Sequence, residues 1–324
     1  MIEKVFINVL FAISLISCGS NKQIKNPTEN GQIIEIEIGA STNYQNEIKD
    51  YLESLDLPQG DFTVVNDSIC KLIFNTQFDS TVLKRIFNKS SITFQETYNF
   101  ERLIDAFSPI LKDLADYGCV NAKNYLDFDK KSKANPDKIM EVPFFGGSYI
   151  GDFSSSDTAS IIGLIHSNNI IEKLPSDLQI LWSESSKKDS ISLYLIKAKS
   201  IERGLSEQNI TSLISNQKTR NNPTEYDKKG MPTKWDSETY YEITLTLDNK
   251  GAENFFDLTN RNVGEYIAFN VNQSIFSAPR VTMPIEGGQI SVSLTSKEDL
   301  IRFYKSILFD DFENSISIKE FEIK

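Results

Sequence analysis

The chain has 324 residues, 40% of them hydrophobic and 24% charged, enough to bury a sizeable core in two packed units. Its formal net charge of −11 argues against nucleic acid or an anionic surface as a partner. No His, Cys, Asp or Glu spacing suits a metal ion, and no cofactor is expected.

The N-terminus carries an apolar run from Val5 to Ile16, interrupted by Asn8 and Ser14. It has the length of a signal-peptide core and falls short of the roughly 20 residues a spanning helix needs. Leu15-Ile16-Ser17-Cys18-Gly19 follows, and it resembles the lipobox of bacterial lipoproteins: an aliphatic residue, a small residue before the cut, then the cysteine whose thiol takes the lipid. That resemblance implies a signal peptide over 1–17 and a lipid on Cys18. It also implies a lipid-anchored membrane protein of the cell envelope, facing the periplasm. Removing 1–17 takes away one Glu and one Lys, so the charge of −11 stays with the remainder. Residues 18–30 are polar and read as a tether that cannot bury enough surface to fold.

Residues 31–99 alternate strand and helix signals. Ile33 to Ile38 has period two. Tyr44, Ile48, Tyr51, Leu52 and Leu55 fall at helical spacing behind a cap at Ser41 or Thr42. Asp61 to Val65 and Ile69 to Phe74 make a hairpin over Asn66-Asp67-Ser68. A helix over Ser80 to Phe87 and a strand over Ile92 to Tyr98 close the order βαββαβ, the ferredoxin-like unit. In that unit two helices cover one sheet face and leave the other open. Cys70 lies in a strand-like run, and with Cys119 it is expected to be a buried free thiol rather than half of a disulfide.

Residues 100–140 begin with an amphipathic stripe, Phe100, Leu103, Ile104, Phe107, Ile110, Leu111, Leu114 and Tyr117, which predicts one helix packed on the core. A polar stretch over 120–140 reads as a loop or insertion. The second unit spans 141–308, with a helix over Ser156 to His166 and strands over Leu178 to Trp182 and Ile191 to Ala198. Asn216 to Glu238 is polar and reads as an exposed connection. A strand over Tyr241 to Leu247, a helix bearing Ala252, Phe255, Phe256 and Leu258, a hairpin turning at Asn272-Gln273 and a last helix follow. In the tail, 309–324, Ile316, Ile318, Phe321 and Ile323 suit an extra strand. The fold class is therefore α+β, a ferredoxin-like base with an α+β head.

Leu245-Thr246-Leu247-Asp248, Gly251-Ala252, Thr259 through Gly264, Ile267-Ala268, Ser277-Ala278-Pro279 and Gly287-Gly288-Gln289-Ile290-Ser291 occur in this order. They resemble the head of the first periplasmic domain, P1, of SecD and SecDF, accessory subunits of the Sec protein-export machine. Val82 to Phe87 with Ile92 to Tyr98 resembles the base of that domain. Leu178 to Trp182 and Tyr194 to Lys199 look like its long Bacteroidetes form. The resemblance spans roughly residues 31–308.

The resemblance implies that the head engages exported or unfolded polypeptide, or docks on Sec translocon components. Candidate residues are Asn262, Val263, Gly264, Ser277, Ala278, Pro279, Gly287 and Gly288. The expected role is accessory to translocation; the alternative is a docking module of another envelope assembly. In the family, later membrane helices couple translocation to ion flow. This sequence shows a lipobox in place of the first helix and no later span, so no ion-driven motor is expected. Nor is an enzyme: the single histidine, His166, lies in an apolar helix and reads as a packed core residue, and no nucleophile with a neighbouring base is visible.

Overall fold

The computed structural model describes residues 31–134, 147–184, 189–197, 205–226, 231–294, 296–312 and 315–324. The expected signal peptide, Cys18 and the tether lie outside these residues, as do Glu141 and Gly146.

In chain order, β1 (Ile33–Ala40) buries every second residue, and α1 (Thr42–Leu55) follows an extended Ser41 and buries Ile48, Leu52 and Leu55. β2 (Asp61–Asn66), β3 (Ile69–Asn75) and the short β4 (Gln77–Asp79) lead into α2 (Ser80–Ile86). Its first turn is capped by the Asp79 carboxylate, which accepts from the Thr81 and Val82 N–H groups. β5 (Ile92–Glu96), α3 (Phe100–Phe107), α4 (Leu111–Asp116), α5 (Val120–Ala134), β6 (Tyr149–Ser154), α6 (Thr158–Ser167) and α7 (Ile170–Lys173) come next. They precede β7 (Leu178–Glu184), β8 (Ser190–Lys197), β9 (Leu205–Ser206), β10 (Ile210–Tyr226) and β11 (Pro232–Leu247). The last elements are α8 (Asn249–Arg261), β12 (Ile267–Val271), β13 (Ser274–Ser277), β14 (Gln289–Leu294), α9 (Lys297–Leu308) and β15 (Ile316–Ile323). The α+β class follows directly.

The base sheet has the order β15-β1-β3-β2, with each neighbouring pair antiparallel. β3 thus lies between β1 and β2, which α1 connects, as in a split βαβ unit. The fourth strand differs from the sequence expectation. β5 leaves this sheet and pairs with β12, while β15 from the tail takes the place beside β1, setting Ile323 against Ile34 and Phe321 against Ile36. The physical reason is burial. Ile92, Thr93, Phe94 and Gln95 of β5 are all buried, which a sheet with one open face cannot provide, whereas β15 alternates. The open face carries Glu35, which pairs with Lys71 and Lys324.

Three other expectations are corrected. The stripe from Phe100 to Leu114 is buried as expected, but the helix is broken by a 3₁₀ turn over Ser108–Ile110. Pro109 lacks an N–H and its ring collides with the preceding turn. Residues 120–134 are helical rather than loop: the first turn of α5 is anchored by buried Asn121 and Ala122, with Asn121 Nδ2 donating to Tyr149 O of β6, and Lys133 pairs with Asp129 at 2.7 Å further along. The polar stretch 216–238 is, over its described residues 216–226 and 232–238, not a connection but much of a long antiparallel ribbon in which β10 pairs with β11. Cross-strand pairs substitute there for apolar burial, as where Arg220 meets Glu238 at 2.8 Å.

Two cores result. The helices after Phe100 pack with β6 and β8 through Phe107, Ile110, Leu114, Ile150, Leu193 and Leu195. The larger core joins the base to the elements after Leu205. Its centre is Tyr304 on α9, fully buried, with ring centroids of Phe74, Phe303 and Phe321 at 5.3, 5.5 and 6.3 Å. Its hydroxyl shares a hydrogen bond with Ser215 of β10. Cys70 and Cys119 are buried free thiols, and burial pushes both up to about 11. No helix among the described residues is long and apolar enough to cross a membrane.

Phe321 is 2% exposed. Phe321→Ala is expected to lower the unfolding free energy by about 3 kcal/mol in a urea titration. A tail hanging free of the sheet would show no loss.

Candidate functional site

The candidate residues surround α8. At its N-terminus the Asp248 carboxylate accepts from Gly251 N at 2.6 Å. At its C-terminus Asn262 is buried, donating from Nδ2 to Leu258 O at 2.7 Å and to Glu96 Oε1 at 3.2 Å. The chain then turns sharply, because Gly264 adopts φ +87°, a conformation that strains any residue with a Cβ.

That turn meets the segment after β13. Gly264 N donates to Val281 O at 2.8 Å, Val281 N to Glu265 O at 2.8 Å, and Ile267 N to Pro279 O at 3.1 Å. Arg280 Nε closes the contact on Gly264 O at 2.9 Å. Asn262-Val263-Gly264 and Ser277-Ala278-Pro279 are therefore parts of one clasp. Gly287 and Gly288 are not in it. They sit toward the other end of α8, where Gly288 O accepts from Leu247 N at 2.7 Å and a Cβ on Gly288 would lie 3.0 Å from that of Ala252.

Little of this is arranged for chemistry. The cavity bounded by α8, β12 and β14 has about 30 Å³, lined by Phe94, Phe255, Phe269, Ile285 and Ile290 among others. That is room for a water molecule, whereas a ligand pocket needs hundreds of Å³. Among the described residues no group of His, Cys, Asp and Glu could hold a metal. His166 is exposed on α6 rather than packed, because the buried side of that helix is made by Ile161 and Ile165. What the clasp offers outward is Val263 and, on the following loop, Met283, both 49% exposed, with the exposed Arg280.

Sequence reasoning missed the residue that ties the clasp to the rest. Glu96, at the end of β5, accepts from Lys197 Nζ at 2.9 Å, from Arg261 Nε and from Asn262 Nδ2. Burial works against its charged form, but these three donors outweigh it and hold the carboxyl at about 2. Strand alternation places Glu96 in a strand, yet nothing local announces partners on β8 and α8. Asn272 and Gln273 do turn the β12–β13 hairpin as expected, both at positive φ.

Comparison with known proteins matches residues 229–299 to the family described as SecDF, P1 head subdomain. A SecD/SecDF P1 domain is supported. The match runs from the start of β11 into α9 and includes the whole clasp. The protein translocase subunit SecD of Acidaminococcus fermentans is 34% identical over 115 residues, 34% of this chain and 28% of that protein. SecD of Rhodothermus marinus is 25% identical over 179 residues, 53% of this chain and 26% of its own length. The chain thus spans about a quarter of the length of these relatives. A SecDF crystal structure in the super-membrane-facing form aligns over 91% of this chain and 30% of its own, at 12% identity and a TM-score of 0.28. A second, of a membrane component SecDF that enhances protein export, aligns over 88% of this chain and 98% of its own, at 13% identity and a TM-score of 0.27. Scores that low add nothing to the sequence match.

Glu96 is lowered from an ordinary 4.5, so its contribution to stability is complete above that value and is lost as pH falls from 4.5 towards 2. Glu96→Gln is expected to cost about 2 kcal/mol at neutral pH and to flatten the stability profile across that window. Urea titrations of both proteins between pH 7 and pH 2.5 measure the difference.

Proposed function

We propose that this chain is a lipid-anchored, periplasm-facing protein that binds exported or unfolded polypeptide through its head and so assists protein translocation. The observation that carries the reading is the match of residues 229–299 to the SecDF P1 head, supported by relatives named as SecD subunits of the protein translocase. The site fits a broad, shallow partner better than a small molecule. Its cavity has room for little more than a water molecule, and its outward residues, Val263, Met283 and Arg280, mix apolar and cationic character without enclosing anything. The reading is non-enzymatic, with Sec translocon components as the second class of partner and a lipid on Cys18 as the membrane attachment.

Photo-crosslinkers placed at Ser277, Ala278 or Arg280 in cells are expected to capture a heterogeneous set of exported chains. Capture of one folded envelope partner alone would replace polypeptide binding by docking, and capture of neither would sink both. Labelled palmitate is expected to enter the protein and to be absent from Cys18→Ser, which then leaves the membrane fraction. A variant still labelled and still membrane-bound would refute the anchor.

A further inference from the structure

The ribbon of β10 and β11 outruns the strands that flank it. β14 pairs with β11 only between Thr246 and Tyr241, and β4 pairs with β10 only from Ser212 to Ile214. Beyond Tyr241, residues 232–240 have β10 on one side and, among the described residues, no strand on the other. In an antiparallel pair, alternate residues aim their N–H and C=O groups away from the partner. This edge therefore presents backbone donors and acceptors to water along about 30 Å.

The ribbon's two edges are unlike. β10 carries Pro223, and near its root Gln217 N donates to Gln32 Oε1 at 2.6 Å. β11 runs from Thr233 to Tyr240 without proline; its charges are Lys234, Asp236 and Glu238, and the last of these is taken up by Arg220 and Asn222 of the neighbouring strand. Residues 233–237 and Thr239 are exposed, Trp235 at 56%. Toward its tip the ribbon's own register shifts between Pro223 and Glu225 and between Glu225 and Tyr226, and from Trp235 to Tyr241 the pairing is regular. The apolar edge strand β2 is bulged between Val64 and Asn66, and Gln45 occupies its end by donating to Asn66 O at 2.9 Å. The β11 edge is also held in shape. Arg220 and Asn222 both donate to Glu238 Oε2, and Arg220 stacks 5.4 Å from the Tyr240 ring.

We propose that the outer edge of β11, residues 233–240, takes up an extended segment of unfolded polypeptide as an added antiparallel strand in line with β14. This rests on the reading of the chain as a polypeptide binder and lies inside the stretch matched to the P1 head. The last paired residue of β14, Leu294, stands opposite Tyr241, so the guest begins where β14 leaves off. Main-chain hydrogen bonds carry the affinity in such strand addition and are indifferent to side chains. They suit a client defined by being unfolded rather than by its sequence. Trp235 adds an exposed ring on which passing side chains settle.

Hydrogen exchange of the chain from Cys18 onward, with and without a reduced and carboxymethylated polypeptide that cannot fold, tests the proposal. Alternate amides of residues 233–240 are expected to slow by about tenfold or more on adding the polypeptide. If crosslinks form at Ser277 to Arg280 while the β11 amides exchange as before, the strand addition is overturned and the polypeptide-binding reading stands. If neither crosslinks nor protection appear, both fall. Uniform slowing without alternation overturns the added strand as well, since it reports cover without pairing.

Discussion

The structure turns on the burial of Tyr304. One aromatic side chain on α9 touches Phe74 of the base, Phe303 beside it and Phe321 of the last strand, and its hydroxyl meets Ser215 of the ribbon sheet. Base and head are consequently not two beads on a string, because α9, which ends the head, packs Tyr304 against Phe74 and Phe321 of the base sheet and leads into its fourth strand. A phenol in so dry a place needs its partner: without Ser215 the hydroxyl would be a buried polar group left unpaired. Burial also pushes the phenol far above its ordinary range, so it stays neutral.

The sequence was most legible where periodicity was strong and local. The base hairpin, α1, α2, α8 and the β12–β13 hairpin lie where spacing and turn chemistry put them, and the alternation of Ile316, Ile318, Phe321 and Ile323 marked a strand in the tail. It was least legible where partnership decided the outcome. Nothing within Ile92 to Glu96 says that this strand would be buried on both faces, and nothing in the polar run after Asn216 says that a strand opposite would satisfy it. Apolar periodicity is blind to ribbons held by charge pairs and amides.

The candidate site divides the same way. The motif glycines were readable as turns, and Gly264 and Gly288 do sit at positive φ. Their different neighbours were not readable: one glycine belongs to the clasp, the other to the packing of Ala252. Glu96 shows why. Its partners lie 101 and 165 residues away, a relation no short motif encodes. The motif residues thus shape a surface by backbone geometry, and the charge that locks it comes from elsewhere in the chain.

The pairing of β1 with β15 reaches past those interactions to the order in which the molecule assembles. Its register sets Ile34 beside Ile323, so β1 waits for a strand made far later in synthesis before its edge is closed. Contacts of such long sequence separation form slowly, because the loop entropy must be overcome before pairing offsets it. Until then an edge rich in isoleucine stands open. A newly made copy of this chain is therefore, for a time, an unfinished sheet, and passes through the exposed-strand state it is proposed to recognise in others.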